Sequence, residues 1–180
     1  METEAHWFAL RAFRNRTQAL MELTGKAGFR TYYAIRTIDN LDKGSLNYKQ
    51  EPLVPGLIFV KCPVEWLMDF KQKHVNQFMI YSDSVTKKPA PIRDKEMDMF
   101  IMVTSAHNNE GLQDIEVLEP KPQYANGDLV RVTDGLYKGA TGIVKRIRKD
   151  RKLLVAITGV AVVAISHIPL CYLEKVETLG

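Results

Sequence analysis

Two hydrophobic patterns follow one another along the chain. In the first hundred residues, short β-branched and aromatic runs alternate with stretches whose apolar positions recur at helical spacing. The predicted elements are, in chain order, a strand at 6–13, a helix at 15–28, strands at 31–38 and 51–63, a helix at 64–74, a strand at 77–82 and a helix at 93–106. This order predicts an α+β fold, an N-terminal α/β sandwich in which helices pack against one mainly antiparallel sheet.

The last third of the chain shows only the alternation that is typical of strands. Five short strands with tight turns are predicted between 124 and 180, which is typical of a small β-barrel. Between the two patterns, residues 105–123 are polar and contain two prolines, as linkers do. The predicted organisation is an N-terminal domain at 1–104, a linker at 105–123 and a C-terminal barrel at 124–180.

The stretch EPLVPGLIFVKCP at 51–63 places two prolines and a glycine at the start of an apolar strand. Proline cannot donate to a sheet ladder, so Pro52 and Pro55 are expected where the ladder would otherwise extend. Gly56 allows another backbone to approach closely. The Pro-Gly step therefore predicts that the sheet ladder is interrupted at the start of this strand and that another backbone can lie close to it.

Composition indicates a globular protein with a packed core. Of the 180 residues, 46% are apolar and 26% are charged. Cys62 and Cys171 stand far apart without a CxxC motif, which favours a reducing compartment and gives no metal or redox motif. The sequence shows no signal segment, and the most apolar stretch, 153–165, is too short to span a bilayer. We expect a soluble, cytoplasmic protein without a membrane partner.

Positive charge is concentrated near the end of the chain. The formal net charge is +4, and the whole excess of basic over acidic residues lies after residue 123. Six of the basic side chains fall in KRIRKDRK at 145–152. A basic patch of this kind indicates a nucleic-acid or acidic-protein partner, with a solvated hairpin turn as the alternative.

Catalytic motifs are not found in the sequence. The four histidines are scattered, and no Ser, Cys or carboxylate stands at a recognisable motif spacing from them. The glycines of the last third lie between strands and not ahead of a helix, so they do not form a phosphate-binding loop. We expect no catalytic residue, no metal site and no cofactor, and we do not expect an enzyme.

Four stretches of the chain resemble one family in series. NGDLVRVTDGLYKGATGIVKRIRKDRKLLV at 126–155 resembles the KOW module, a small β-barrel. Upstream, HWFALRAF, EPLVPGLIFVKC and KPAPIRDKEMDMF resemble the NusG N-terminal domain. The chain therefore resembles the NusG-family transcription elongation factors, and EPLVPGLIFV is most similar to the specialised antiterminators of the RfaH and UpxY types. The KOW motif residues are then Gly135, Tyr137, Gly139 and Gly142.

The resemblance implies two binding surfaces. An apolar depression beside the Pro-Gly step would receive the clamp helices of RNA polymerase. The residues implied are Trp7, Phe8, Pro55, Gly56, Leu57 and Phe59. For Trp7 and Phe59, core packing and partner contact are equally compatible with the sequence, whereas for Leu57 we favour contact. Positive charge at Arg14, Arg16, Lys71 and Lys73 would face the non-template DNA strand, with a solvated helix face as the alternative.

Two departures from the family pattern affect the expected function. Trp66–Asp69 stand where RfaH-type proteins carry a polymerase gate-loop contact. Thr158–Val163 replace the aromatic and arginine residues with which the housekeeping barrel contacts Rho and a ribosomal protein. We expect a factor that binds RNA polymerase, and non-template DNA or nascent RNA, and promotes processive elongation of specific operons. The alternatives are a housekeeping NusG-type factor coupling polymerase to Rho or the ribosome, and a ribosome- or RNA-binding KOW protein.

Overall fold

The computed structural model describes residues 4–13, 15–40, 47–110, 115–121 and 127–177. The elements are, in chain order, β1 (His6–Ala12), α1 (Thr17–Lys26), β2 (Arg30–Tyr32), β3 (Ile35–Asn40), β4 (Asn47–Pro52), β5 (Leu57–Cys62), α2 (Val64–Lys73), β6 (Phe78–Ile80), α3 (Asp94–Glu110), β7 (Ile115–Leu118), β8 (Asp128–Val132), β9 (Thr141–Ile147), β10 (Asp150–Ile157), β11 (Ala161–Ile165), a short 3-10 helix (Leu170–Tyr172) and β12 (Leu173–Lys175). The predicted mixture of strands and helices is confirmed.

The first sheet is antiparallel, with the strand order β2-β5-β1-β6. One of its faces carries the buried core shared with α1 and α2. That core consists of Phe8, Leu10, Leu20, Ile58, Val60, Cys62, Leu67, Phe70 and Phe78. Because strand side chains alternate between faces, Trp7, Ala9, Leu57 and Phe59 lie on the opposite face, where they are also buried. Full burial of a valine, leucine, isoleucine or phenylalanine side chain stabilises the folded state by about 2 kcal/mol.

Two of the predicted strands are each divided in the structure. The segment predicted as one strand at 31–38 is split between β2 and β3, and the segment at 51–63 is split between β4 and β5. Strands β3 and β4 pair with each other in a separate two-stranded sheet, from Ile35↔Pro52 to Asn40↔Asn47. In this ribbon, Arg36 Nε donates a hydrogen bond to Glu51 Oε1 at 2.7 Å.

The second large sheet has six strands in the order β12-β8-β9-β10-β11-β7, all antiparallel. Its core includes Leu154, Val162 and Ala164, packed with Leu118 and Ile147. Strands β12 and β7 are its two edges and do not pair with each other among the described residues. The predicted barrel is therefore not shown, because the strands form an open sheet.

The chain divides into two compact units. One comprises Met1–Ala34 with Val54–Met97, and the other comprises Ile35–Leu53 with Asp98–Gly180. The stretch expected to be a linker, 105–123, contains the end of α3 and the whole of β7. The division into domains at 1–104 and 124–180 stays a prediction.

Candidate polymerase and nucleic-acid surfaces

The Pro-Gly step forms a tight turn at the entrance to β5. The backbone N–H of Leu57 donates to the carbonyl of Val54 at 3.2 Å, which closes a four-residue turn. Pro55 occupies its second position, and Gly56 occupies the third with φ +76°. This arrangement is typical of a type II turn, in which proline fixes the first φ angle and glycine accepts the positive one.

The backbone that approaches Gly56 is the chain's own. The N–H of Ala12, at the end of β1, donates to the carbonyl of Gly56 at 2.8 Å. A Cβ atom at Gly56 would stand 3.0 Å from the carbonyl oxygen of Ala12. The close approach that the sequence predicts at Gly56 thus includes the end of β1.

Two side chains hold the turn in place. Arg11 Nη1 donates to the carbonyl of Pro55 at 2.5 Å. Burial raises the pKa of Tyr33, and hydrogen bonds with the Gly56 backbone and the Thr17 side chain oppose that rise. The turn is therefore hydrogen-bonded to Arg11 on β1 and to Tyr33, the residue that follows β2.

The four apolar side chains expected at the polymerase surface are buried. Leu57 is 3% exposed, and Trp7, Phe8 and Phe59 are buried to a similar degree. Phe8 belongs to the core shared with α1 and α2. The exposed groove expected at Leu57 is not present in the described structure, because that side chain lies in the interior. Their part in polymerase binding stays a prediction, and Pro55 is exposed beside them.

Charged and polar groups lie around Trp7, on the face of the first sheet opposite the core shared with α1 and α2. The guanidinium of Arg30 lies 5.3 Å from the centroid of the Trp7 ring, a cation–π contact. Lys61 Nζ is 3.0 Å from the carboxylate of Asp94, in the first turn of α3. The N–H of Ile92 donates to the carbonyl of Trp7 at 2.8 Å. The start of β1 is therefore enclosed by polar contacts.

An exposed apolar surface lies instead at the other end of β1. Arg11 pairs with Leu57 on one side and with Met79 on the other, so these three side chains share a face. Met79, on the edge strand β6, is 44% exposed, and Phe13 is 39% exposed. The N–H of Phe13 donates to the carbonyl of Gln77, which precedes β6. We call Phe13, Pro55 and Met79 the rim surface. Sequence reasoning missed Phe13 and Met79, because only strand pairing brings them to the Pro-Gly turn.

The predicted nucleic-acid residues have different environments. Arg14 lies outside the described residues. Arg16 is the exposed residue before α1, and Lys73 is exposed in the last turn of α2. Lys71 is half-buried, donates to the carbonyl of Phe78 and lies 4.6 Å from the Phe78 ring centroid. The contacts of Lys71 tie α2 to β6, so its ammonium is already engaged within the protein.

The residues expected to form a KOW motif lie between β8 and β9 or at the start of β9. Gly135 accompanies Asp134 in a turn, with its N–H donating to Asp134 Oδ1 at 2.8 Å. Tyr137 is buried, and Gly139 N–H donates to the carbonyl of Val132. At Gly142, a Cβ atom would stand 2.3 Å from the carbonyl oxygen of Leu154 on β10. A side chain at Gly142 would therefore collide with the backbone of β10.

The basic stretch at 145–152 forms the end of the β9–β10 hairpin. Lys152 Nζ is 2.6 Å from Glu116 Oε2 on β7. The hydrogen bond from Lys152 lowers the pKa of Glu116, and the charge of Arg148 acts in the same direction. One of the six basic side chains is therefore neutralised within the sheet.

Metal and membrane sites are not observed in the described part of the chain. Within it, we find no group of three or more His, Cys, Asp or Glu residues suited to a metal ion. None of its helices combines the length and apolar character needed to cross a bilayer.

Comparison with known proteins relates the chain to one family. The sequence model of a protein family, described as transcription termination factor NusG, matches residues 5–101. The transcription termination/antitermination protein NusG of Yersinia pestis is 26% identical over 111 residues, which cover 62% of this chain and 58% of that protein. The chain thus spans less than two thirds of that relative's length. A solved structure, described as domain interaction in Thermotoga maritima NusG, aligns with a TM-score of 0.46 and 19% identity, over 97% of this chain and 98% of that one.

Proposed function

Because the chain belongs to the NusG family of transcription factors, we propose that it binds RNA polymerase and promotes processive elongation, as an antiterminator of specific operons. The observation that carries this proposal is the family match over residues 5–101, which spans the whole first sheet and the start of α3. The family acts without enzymatic chemistry. In this proposal the protein works by contact, in the cytoplasm of a bacterial cell.

The polymerase contact is proposed at the rim surface. Its members are accessible, and they adjoin the Pro-Gly turn that the family resemblance relates to the clamp helices. Trp7, Phe8, Leu57 and Phe59 would support this surface from the interior. An apolar surface that receives helices is a common mode of recognition. Arg16 and Lys73, with Arg14, are the proposed contacts to the phosphates of non-template DNA, where they would add affinity with little sequence preference.

A charge at Met79 tests this assignment. We expect Met79→Asp to reduce retention of the chain on immobilised RNA polymerase by about ten-fold, because a desolvated charge without a partner is costly at an apolar interface. Val85→Asp is the matched control, since Val85 is 85% exposed in the turn at 84–86 and is not a member of the rim surface. Leu57→Asp is unsuitable because a charge in the interior would unfold the protein.

Each outcome of this experiment has a separate meaning. Equal retention of Met79→Asp and the wild type would place the contact elsewhere. Failure of the wild type to bind polymerase would contradict the proposed function itself. Loss of retention in both variants would indicate an effect of charge that is independent of the rim surface.

The specialised role is favoured by one feature of the second sheet. The turn between β10 and β11 is Thr158–Val160, and neither it nor the start of β11 carries an aromatic or arginine residue. In the family resemblance, that position contacts Rho and a ribosomal protein in housekeeping factors. We propose that the second sheet is a KOW-type module with other partners. Rho-dependent termination assays with and without the chain separate the specialised role from the housekeeping one.

The alternative from another class is a ribosome- or RNA-binding KOW protein without a polymerase contact. The basic stretch at 145–152 favours it. Co-purification with ribosomes and not with polymerase would support this alternative.

A further inference from the structure

A cation stands beside the apolar side chains of the rim surface. On the face of β1 that carries Trp7 and Ala9, the next position is Arg11, where strand alternation would otherwise continue an apolar row. Strand pairing puts Arg11 directly opposite Leu57 on β5 and Met79 on β6. Its neighbours on this face are therefore an interior leucine and a member of the rim surface.

The guanidinium of Arg11 is held in position by one hydrogen bond. Its Nη1 atom donates to the carbonyl of Pro55, another member of the rim surface, at 2.5 Å. A guanidinium has five N–H donors in a planar fork, so this single hydrogen bond leaves most of the fork available. The side chain is half-buried, and its hydrogen bond to Pro55 lies at the protein surface. The fork is thus oriented at the edge of the rim surface, where a partner can reach it.

The charge of Arg11 is not balanced within the first sheet. Strands β1, β2, β5 and β6 contain no aspartate or glutamate. Lys61, on the same face, is paired with Asp94 from α3. The ion pairs between described residues do not include Arg11. A carboxylate supplied by a partner would therefore find a cation that is already positioned.

An interface formed at the rim surface would remove water from this cation. Burial of a cation opposite an apolar side chain is costly, because the charge then has no counter-charge and few hydrogen bonds. A carboxylate in the same place would accept two parallel hydrogen bonds from the fork, a strong and geometrically specific pair. Arg11 would therefore reject a purely apolar segment and accept one that carries an acidic side chain.

We propose that Arg11 is a specificity-determining residue of the rim surface, which forms an ion pair with an aspartate or glutamate of RNA polymerase. This inference rests on the proposed function, since its premise is the polymerase contact at the rim surface. It adds one requirement, namely that the bound segment of polymerase carries a carboxylate among its apolar side chains. Phe13, Pro55 and Met79 contribute apolar area, and Arg11 contributes the selection by charge.

The affinity of the full chain for core RNA polymerase, measured by biolayer interferometry without nucleic acid, tests this proposal. The absence of nucleic acid keeps phosphate contacts out of the measurement. We expect Arg11→Met to bind about ten-fold more weakly at about 50 mM salt, since its apolar chain cannot donate charge-assisted hydrogen bonds. Arg11→Lys should bind only about three-fold more weakly, because the charge stays while the planar fork is lost.

Arg30→Met is the matched control on the same face of the same sheet. Arg30 is an exposed cation that lies over the Trp7 ring and forms no ion pair with another described residue. Its affinity for polymerase should stay within about two-fold of the wild type, as for other exposed charges. Equal weakening of Arg11→Met and Arg30→Met would overturn the proposal in favour of the net charge of this face.

A zero-length cross-link separates a contact with polymerase from a purely structural role of Arg11 in the turn. Carbodiimide joins a lysine amine to a carboxylate only where the two groups touch, and it does not join a guanidinium. We expect Arg11→Lys to become linked through position 11 to an aspartate or glutamate of polymerase, identified by mass spectrometry. Val85→Lys should give no link at position 85. Links through other lysines of the chain and none through position 11 would overturn the proposal.

The outcomes distinguish this inference from the proposed function. A wild type that does not bind polymerase would overturn both. A wild type that binds, together with Arg11→Met of equal affinity, would overturn the present inference alone. Urea unfolding followed by tryptophan fluorescence shows whether each variant is folded. If Arg11→Met is unfolded, the cross-link of Arg11→Lys decides between the contact and the structural role.

Discussion

At the scale of single residues, two glycines stand where a side chain has no room. Gly142 faces the carbonyl oxygen of Leu154, and Gly56 combines a positive φ with the nearby carbonyl oxygen of Ala12. Gly25 in α1 is the opposite case, since a Cβ atom there would meet nothing within 4 Å. Sequence reasoning predicted the close approach at Gly56, because a glycine directly before an apolar strand allows another backbone to come near.

We expect Gly56→Ala to destabilise the first unit by about 1–2 kcal/mol, since alanine is strained at positive φ. Gly25→Ala is the control and should raise the free energy of unfolding by about 1 kcal/mol, because alanine is the better helix former. Both tryptophans, Trp7 and Trp66, lie in this unit, so their fluorescence during urea unfolding reports the change. Equal stability of Gly56→Ala and the wild type would contradict the described turn.

At the scale of elements, the sequence predicts local structure well where periodicity is strong. The helices and the apolar strands were expected from their spacing. The β3–β4 ribbon was missed because NYKQEP is polar, and β7 was missed because IEVL is short and lies in a polar stretch. Both segments become strands through pairing with distant partners, which a local pattern does not contain.

The candidate site was predicted less fully than the elements. The Pro-Gly step indicated an unusual entrance to β5, but the exposure of Leu57 depends on what covers the sheet. The alternation of side chains along a strand assigns each residue to one face of the sheet. It does not show whether that face is exposed to solvent. The rim surface depends on the register of β1 with β5 and β6, which the sequence pattern alone does not fix.

The ion pair between Glu116 and Lys152 links β7 to β10 across β11. We expect Glu116→Gln to lower the free energy of unfolding near pH 7 by about 0.5 kcal/mol, as for other pairs at a protein surface. The pKa of Glu116 is lowered from 4.5, so its contribution is complete above that value and disappears as the pH falls through the lowered pKa.

Urea unfolding followed by far-UV circular dichroism, at about pH 7 and about pH 3, measures this difference. The wild type and Glu116→Gln should converge in stability at the acidic pH. Asp134→Asn is a suitable control in the same unit, because Asp134 accepts a hydrogen bond from the Gly135 N–H and forms no ion pair with another described residue. A difference for Glu116→Gln that is unchanged by acid would show that the pair does not stabilise the sheet.

At the scale of the whole molecule, the described structure contains two compact units whose segments alternate along the chain. The family match at 5–101 covers most of the first unit and segment 35–53 of the second. The rim surface lies in the first unit, and the basic stretch at 145–152 lies in the second. The division into domains at 1–104 and 124–180 stays a prediction, and the two units are made of other segments. The reason is that 35–53 and the later part of α3 cluster with the second sheet, whereas composition divides a chain only at one point.

The position of β7 determines how the second sheet can be isolated. Every residue of β11 is buried, and β7 pairs with its outer edge from Ile115 to Leu118. A fragment that begins at 124 would lack this cover and leave the backbone of VAVVAI free to recruit another chain. We expect light scattering to show self-association of fragment 124–180, while fragment 111–180 stays monomeric. The four residues of β7, in a stretch that resembles a linker, would then protect the edge of β11 from pairing with a second copy of the chain.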